Sequence, residues 1–198
     1  MHMVEFLKSE MENGLEMKFV TSSPVTKKML LTREMPIIEL KDASFVDIYF
    51  DGCDQFDKNL NALKSGGGIH THEKLLASMA QEFILVGDDT KYADALETKY
   101  PVVVEIIPES LGFVPGAVKK KFPGVRVSMR VDIQTKELLL TDNKNYLVEI
   151  WFDQWPELST INPALKSIAG IIETSLFYQM ANKAVVAGSV GVRVITTV

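Results

Sequence analysis

The residues best suited to chemistry lie between Asp51 and Glu73. Asp51 and Asp54 place two carboxylates in one short turn, with Gly52 and Cys53 between them. Lys64 precedes Ser65 and three consecutive glycines, Gly66, Gly67 and Gly68, and Glu73 follows Thr71 and His72. Carboxylates move protons, an ammonium group stabilises an anion, and a glycine run lets backbone N–H groups approach a ligand closely. Together they suit a site for a small anionic ligand. Glu73 is pulled two ways, since a helix N-terminus favours its charged form whereas burial near Asp51 and Asp54 favours the protonated one. The plainer alternative is a strand-to-helix loop that merely collects turn residues.

Ser44 to Phe50 reads as a strand ending at Asp51, and the turn-rich stretch to Gly68 leaves from its carboxyl end, where open α/β sheets bind ligands. Thr71 is expected to cap a helix with Leu75, Leu76, Met79 and Ala80 on one face, and Phe83 to Val86 is the next buried strand. Upstream, Met17 to Thr21 reads as a strand, and Ser22, Ser23 and Pro24 open a helix over Val25 to Leu31. Downstream, Pro101 to Pro108 starts a strand, followed by a helical stretch to Lys121 and β-like runs at Val125–Val131, Leu138–Leu140 and Tyr146–Phe152. The turn-forming Thr141 to Asn145 makes a hairpin of the last two. A helix over Pro156–Ile168, a strand at Ile171–Ser175, and strands at Ala184–Ala187 and Val192–Ile195 complete the reading. The expected fold is α/β: a Rossmann-like parallel sheet with helices on both faces (residues 1–101 and 178–198), plus a smaller α+β subdomain (residues 102–177) inserted before the C-terminal strands.

Composition narrows the partners. In 198 residues of net charge −5, no basic stripe tracks a nucleic-acid backbone, and no run has the length of a membrane span or signal peptide. A single cysteine suits a reducing compartment, so a soluble cytoplasmic protein is expected. Cys53 looks like a filler of an alanine-sized space, its thiolate suppressed by the flanking carboxylates. Trp151, Phe152 and Trp155 are expected to pack the smaller subdomain or an oligomer contact.

The order of these residues resembles type A ribose-5-phosphate isomerases, which carry an Asp-Gly-Ala-Asp-Glu loop, a Lys-Gly-Gly-Gly run and a Thr-Arg-Glu-Lys segment. Here the counterparts are Asp51-Gly52-Cys53-Asp54-Gln55, Lys64-Ser65-Gly66-Gly67-Gly68 and Thr71-His72-Glu73-Lys74. Similarity continues at Gly87 to Lys91, Val104 to Pro108, Thr141-Asp142-Asn143 and Ser175-Leu176-Phe177. The resemblance implies interconversion of ribose 5-phosphate and ribulose 5-phosphate through an enediolate, without metal or organic cofactor. It makes Glu73 the base, gives enediolate stabilisation to Lys64 and the glycine N–H groups, and gives hydroxyl protons and ring opening to Asp51 and Asp54. Gly52, Cys53, Ser65, Gly66, Gly67 and Lys91 become substrate contacts, and a homodimer or homotetramer is expected. It also leads one to expect a Gly-Thr-Gly-Ser-Thr phosphate loop on an earlier βα unit, for which no counterpart stands in this sequence. Ser22, Ser23 and Thr26 are substitute donors if they are not simply helix caps.

Gln55, Ser65 and His72 depart from the family pattern, and a Cβ on Ser65 restricts any positive φ there. Two other readings stay open. One is a non-catalytic sugar-phosphate-binding or regulatory protein on the same fold. The other is a metal hydrolase using His70, His72 and Glu73 with Asp51 or Asp54 as ligands.

Overall fold

A computed structural model describes residues 2–196. They form two compact units that divide between Val46 and Asp47.

In the first unit, helix α1 spans His2–Glu12 and α2 spans Pro24–Thr32. The start of α2 follows from its sequence: the Ser23 hydroxyl accepts the Thr26 N–H, and Pro24 needs no hydrogen-bond acceptor in the first turn. Ser23 is therefore a cap. The strand expected over Met17–Thr21 is reduced to a single parallel bridge between Phe19 and Ile37. The short run finds one paired residue rather than a ladder.

The second unit takes in β1 (Val46–Asp51) from Asp47 onward and runs on through β2 (Gln55–Asp57), β3 (Ala62–Leu63), α3 (His70–Met79), β4 (Ala80–Asp88), β5 (Tyr92–Ala93), β6 (Val102–Ile106) and α4 (Val114–Lys121). It continues through β7 (Arg126–Met129), β8 (Tyr146–Trp151), α5 (Leu158–Lys166), β9 (Ile171–Thr174), β10 (Leu176–Phe177), β11 (Lys183–Gly188) and β12 (Gly191–Thr196). One sheet has the order β1-β4-β11-β12, with β4 and β11 parallel and β12 returning antiparallel along the edge. Leu85 and Ala184 are opposite each other and fully buried. This is the α/β sheet expected.

A second sheet, β7-β8-β6-β9, is antiparallel throughout, and its strands all fall within residues 102–177. Every residue of β6 is buried, and Val102, Val104 and Ile106 pack with Val114 and Val118 of α4 and Ile161 and Leu165 of α5. Phe152 joins this core, with the Phe122 and Trp155 rings at 5.4 and 5.2 Å. Leu138–Leu140 contributes only isolated bridges, Val131 to Leu138 and Leu140 to Tyr146, so β8 takes β7 as its ladder partner.

The third sheet, β10-β3-β2-β5, corrects the expectation of a plain loop between Asp51 and Gly68. Here β2 and β3 form a small buried hairpin whose turn is organised by Asp57. Its carboxylate accepts the N–H groups of Asn59 and Asn61 at 2.9 Å and the Asn61 amide at 3.0 Å. This side-chain-to-backbone bonding replaces longer strands as the source of local order. Helix α3 also differs in detail. It starts at His70 without a side-chain cap, and its buried face is His70, Lys74, Leu76 and Ala77, while Leu75 is exposed. Lys74 can lie inside because Glu173, Thr174 and the Leu176 carbonyl all accept from its ammonium group.

Candidate active site

The hairpin explains how residues spread over 23 positions meet. β1 presents Tyr49 and Asp51 on one face, as strand alternation requires. The Tyr49 hydroxyl donates to Asp51 Oδ2, and the Gly52 N–H donates to Asp51 Oδ1 at 2.8 Å. After β2 and β3 the chain returns, with Asp54 N bonded to the Leu63 carbonyl and Lys64 N to the Ser175 carbonyl. Lys64 Nζ then lies 2.8 Å from Asp51 Oδ2 and 3.3 Å from Glu73 Oε1, and it also donates to the Gly52 carbonyl. Asp54 joins through backbone, accepting the Gly66 N–H at 2.8 Å. Asp51, Lys64 and Glu73 thus form a contiguous cluster, and Asp54 holds the glycine loop beside it.

Burial decides the electrostatics. The Glu73 side chain is 12% exposed. Desolvation, followed by the Asp51 charge, raises its pKa to about 7 from 4.5, although Lys64 opposes the shift. The opposing pulls seen in the sequence are thereby resolved in favour of the protonated form. For Lys64, burial favours the neutral amine, but the charges of Asp51 and Glu73 outweigh it and raise the pKa. A carboxyl group near neutrality beside a fixed ammonium is the balance a general base requires.

The remaining candidates take varied positions. Half-buried Cys53 has its thiol pushed up to about 12, chiefly by desolvation; the two aspartates expected to dominate contribute less. Ser65 is buried and donates from Oγ to the Pro101 carbonyl. Its φ is not positive, so the expected conflict with its Cβ does not arise. Positive φ falls instead at Gly68, at +71°, where a Cβ would come within 2.8 Å of Leu147 Cδ1. Gly67 is exposed. Lys91 closes a short 3-10 turn at the end of β4 and lies along Gly87; its charge acts on Cys53. Among the described residues it makes no hydrogen bond or ion pair with Asp51, Asp54, Lys64 or Glu73. Gln55 faces inward, its amide bonded at both ends to Glu97 at 2.8 and 2.7 Å.

Thr71 does not cap its helix. Its hydroxyl donates to the buried carboxylate of Glu105, which also accepts from Thr141 at 2.8 Å, Asn143 at 3.2 Å and Asn145 at 2.9 Å. These bonds lower the Glu105 pKa despite its burial. The hydrolase geometry is not formed either. His70 pairs through Nε2 with the Glu173 carbonyl at 3.3 Å, and no group of three His, Cys, Asp or Glu side chains among the described residues is arranged to hold a metal ion. A shallow depression of about 450 Å³ lined by Asp47, Ile48, Gln81, Glu82 and Asn182 draws on the opening residues of β1 and β4 and contains none of the clustered groups.

The sequence reading missed Tyr49, Arg130, Glu105 and Phe177 as parts of this region. Tyr49 was detectable, being two residues before Asp51 on a strand. Arg130 carried no local signal. Phe177 lies under both ammonium groups, with Lys64 Nζ 5.8 Å and Lys74 Nζ 5.0 Å from its ring centroid.

Residues 18–191 match the family model of ribose 5-phosphate isomerase A (phosphoriboisomerase A). The chain belongs to that family. It is 32% identical over 200 residues to the ribose-5-phosphate isomerase A of Bifidobacterium longum, an alignment covering 98% of this chain and 84% of that one. The ribose 5-phosphate isomerase A of Methanocaldococcus jannaschii superimposes with a TM-score of 0.88 at 27% identity, covering 98% and 84% of the two chains. A D-ribose-5-phosphate isomerase in complex with phospho-erythronic acid superimposes with a TM-score of 0.89 at 26% identity and the same coverage. The match to the isomerase family spans every residue of the Asp51–Glu73 cluster.

Proposed function

We propose that this chain interconverts ribose 5-phosphate and ribulose 5-phosphate, with Glu73 as the base. The observation that carries this reading is a buried carboxyl group with a pKa near 7, held 3.3 Å from Lys64 and beside the glycine loop. Glu73 takes the proton from C2 of the open-chain aldose, and the electron pair forms the C1–C2 double bond while O1 gains a proton. Return of a proton to C1, with loss of the O2 proton, completes the ketose. Lys64 and the loop N–H groups stabilise the negative oxygen, and Asp51 and Asp54 handle hydroxyl protons during transfer and ring opening. A positioned base contributes ~10²–10⁴-fold and a preorganised oxyanion donor roughly 10²–10³-fold.

Gly52, Cys53, Ser65, Gly66, Gly67 and Lys91 are proposed to frame the substrate, Ser65 through backbone because its hydroxyl is engaged. The enzyme is taken to act in the cytoplasm as a homodimer or homotetramer, which light scattering on the purified protein would test. Activity is tested with ribose 5-phosphate, following ketopentose formation and loss of a C2 deuterium label to solvent. Turnover that disappears in Glu73→Gln supports the assignment; binding without turnover by the wild type rejects it in favour of a sugar-phosphate-binding protein. No helix among the described residues is long and apolar enough to cross a membrane.

A further inference from the structure

Arg130 follows β7 directly and comes from a part of the chain 64 residues beyond the glycine loop. Its backbone is fixed on both sides, its N–H donating to the Leu147 carbonyl at 2.9 Å and its carbonyl accepting from Leu139 at 3.0 Å. From that anchor the guanidinium makes three bonds. Nε donates to Glu149 Oε1 at 2.9 Å, Nη2 to the Ser65 carbonyl at 2.6 Å and Nη1 to the Gly66 carbonyl at 3.0 Å. The side chain is only 15% exposed.

Those two carbonyls set the direction of two N–H groups. In a trans peptide the C=O and the following N–H point in opposite directions. The Ser65 carbonyl and Gly66 N–H share one such plane, with Arg130 at one end and Asp54 Oδ2, 2.8 Å away, at the other. The Gly66 carbonyl and Gly67 N–H share the next. Because this carbonyl also points to Arg130, the Gly67 N–H is turned away from the guanidinium, and it has no acceptor among the described residues. Successive carbonyls directed to one cation leave successive N–H groups on the opposite side, the arrangement of an anion-binding nest. A glycine run has little conformational preference of its own, so an outside group must impose this one. The planar fork of arginine holds two adjacent carbonyls and a carboxylate in one fixed geometry, which the rotating point charge of a lysine ammonium does not impose.

We infer that Arg130, braced by Glu149, is a positioning residue that locks the Ser65–Gly66–Gly67 backbone so that Gly66 holds Asp54 and Gly67 donates to the developing oxyanion. This role rests on the isomerase assignment. Since the contact grows as charge moves onto oxygen, losing it affects the transition state more than substrate binding.

The test uses Arg130→Met, Arg130→Lys and Glu149→Gln in the full chain, with ribose 5-phosphate kinetics and amide hydrogen exchange at Gly66. Arg130→Met is expected to lower kcat by ~10²-fold with KM changed less than about threefold, the pattern of a lost oxyanion donor. Arg130→Lys, keeping one carbonyl contact, should fall between it and the wild type, and Gly66 exchange should accelerate by about tenfold in both as the Asp54 bond loosens. A general loss of structure would instead raise exchange throughout the second unit. Folded Arg130→Met with kcat within about threefold of wild type, or with unchanged Gly66 exchange, overturns the inference. If Arg130→Met does not fold, Arg130→Lys and Glu149→Gln decide by the same criteria. If the wild type lacks turnover, the isomerase assignment fails, while Gly66 exchange still decides whether Arg130 sets the loop.

Discussion

Replacing Glu73 by glutamine should make the protein inactive and more stable at the same time. Desolvation and the Asp51 charge raise the Glu73 pKa to about 7 from 4.5. Between those values the folded protein keeps a proton that the unfolded chain releases. Glu73 therefore contributes stability that is complete below pH 4.5 and disappears as pH rises through 7. The shift corresponds to about 3 kcal/mol, with little discount for solvent because the side chain is so far buried. Glutamine keeps the shape and has no charge to bury, so at pH 8 the variant should gain up to that amount, roughly 6–12 °C in melting temperature for a chain of this length. At pH 4 the difference should vanish. Over the same series, wild-type kcat/KM should fall about tenfold per unit below pH 7, and the variant should lose ~10²–10⁴-fold at its optimum. Thermal melts at pH 4, 6 and 8 with parallel kinetics make the measurement. A variant that melts at or below wild type at pH 8, or retains activity within tenfold, would refute the argument.

Other consequences follow from the same geometry. Asp51→Asn removes the second-largest influence raising the Glu73 pKa, so the acid limb of kcat/KM should move to lower pH even as the rate falls. Gly68→Ala places a Cβ 2.8 Å from Leu147 at a φ of +71°, and urea unfolding should show a loss of about 1–3 kcal/mol. Glu105→Gln leaves four donors without a carboxylate; a loss of about 3 kcal/mol is expected, with α3 less firmly placed, and wild-type stability should fall on acidification as Glu105 protonates. The Cys53 thiol, pushed to about 12, should resist iodoacetamide at pH 8 until urea exposes it, and Cys53→Ala should retain activity.

Much of this site can be read from residue order because it is assembled by one short excursion of the chain. Asp51, Lys64 and Glu73 lie close in sequence, and the turn residues between them allow only a tight return. The β-rich run at β1, the Ser23–Pro24 helix start and the apolar runs at β4, β6 and β11 are local patterns, and they appear in the structure where those patterns place them. The errors arise where a side chain found a distant partner. Thr71 looked like a cap until Glu105, 34 residues away, took its hydroxyl. Lys74, whose burial no local pattern signals, lies inside because Glu173, 99 residues away, receives its charge.

Residue types and their order therefore determine which groups can transfer protons here, and that they leave the carboxyl end of a strand. Tertiary structure decides how strongly each group is charged and which way the loop faces. Desolvation and through-space charge set the Glu73 pKa, and both depend on packing that brings Lys64 back beside Asp51. Three glycines leave the loop's conformation open, and Arg130, just beyond the end of β7, supplies the contacts that define it.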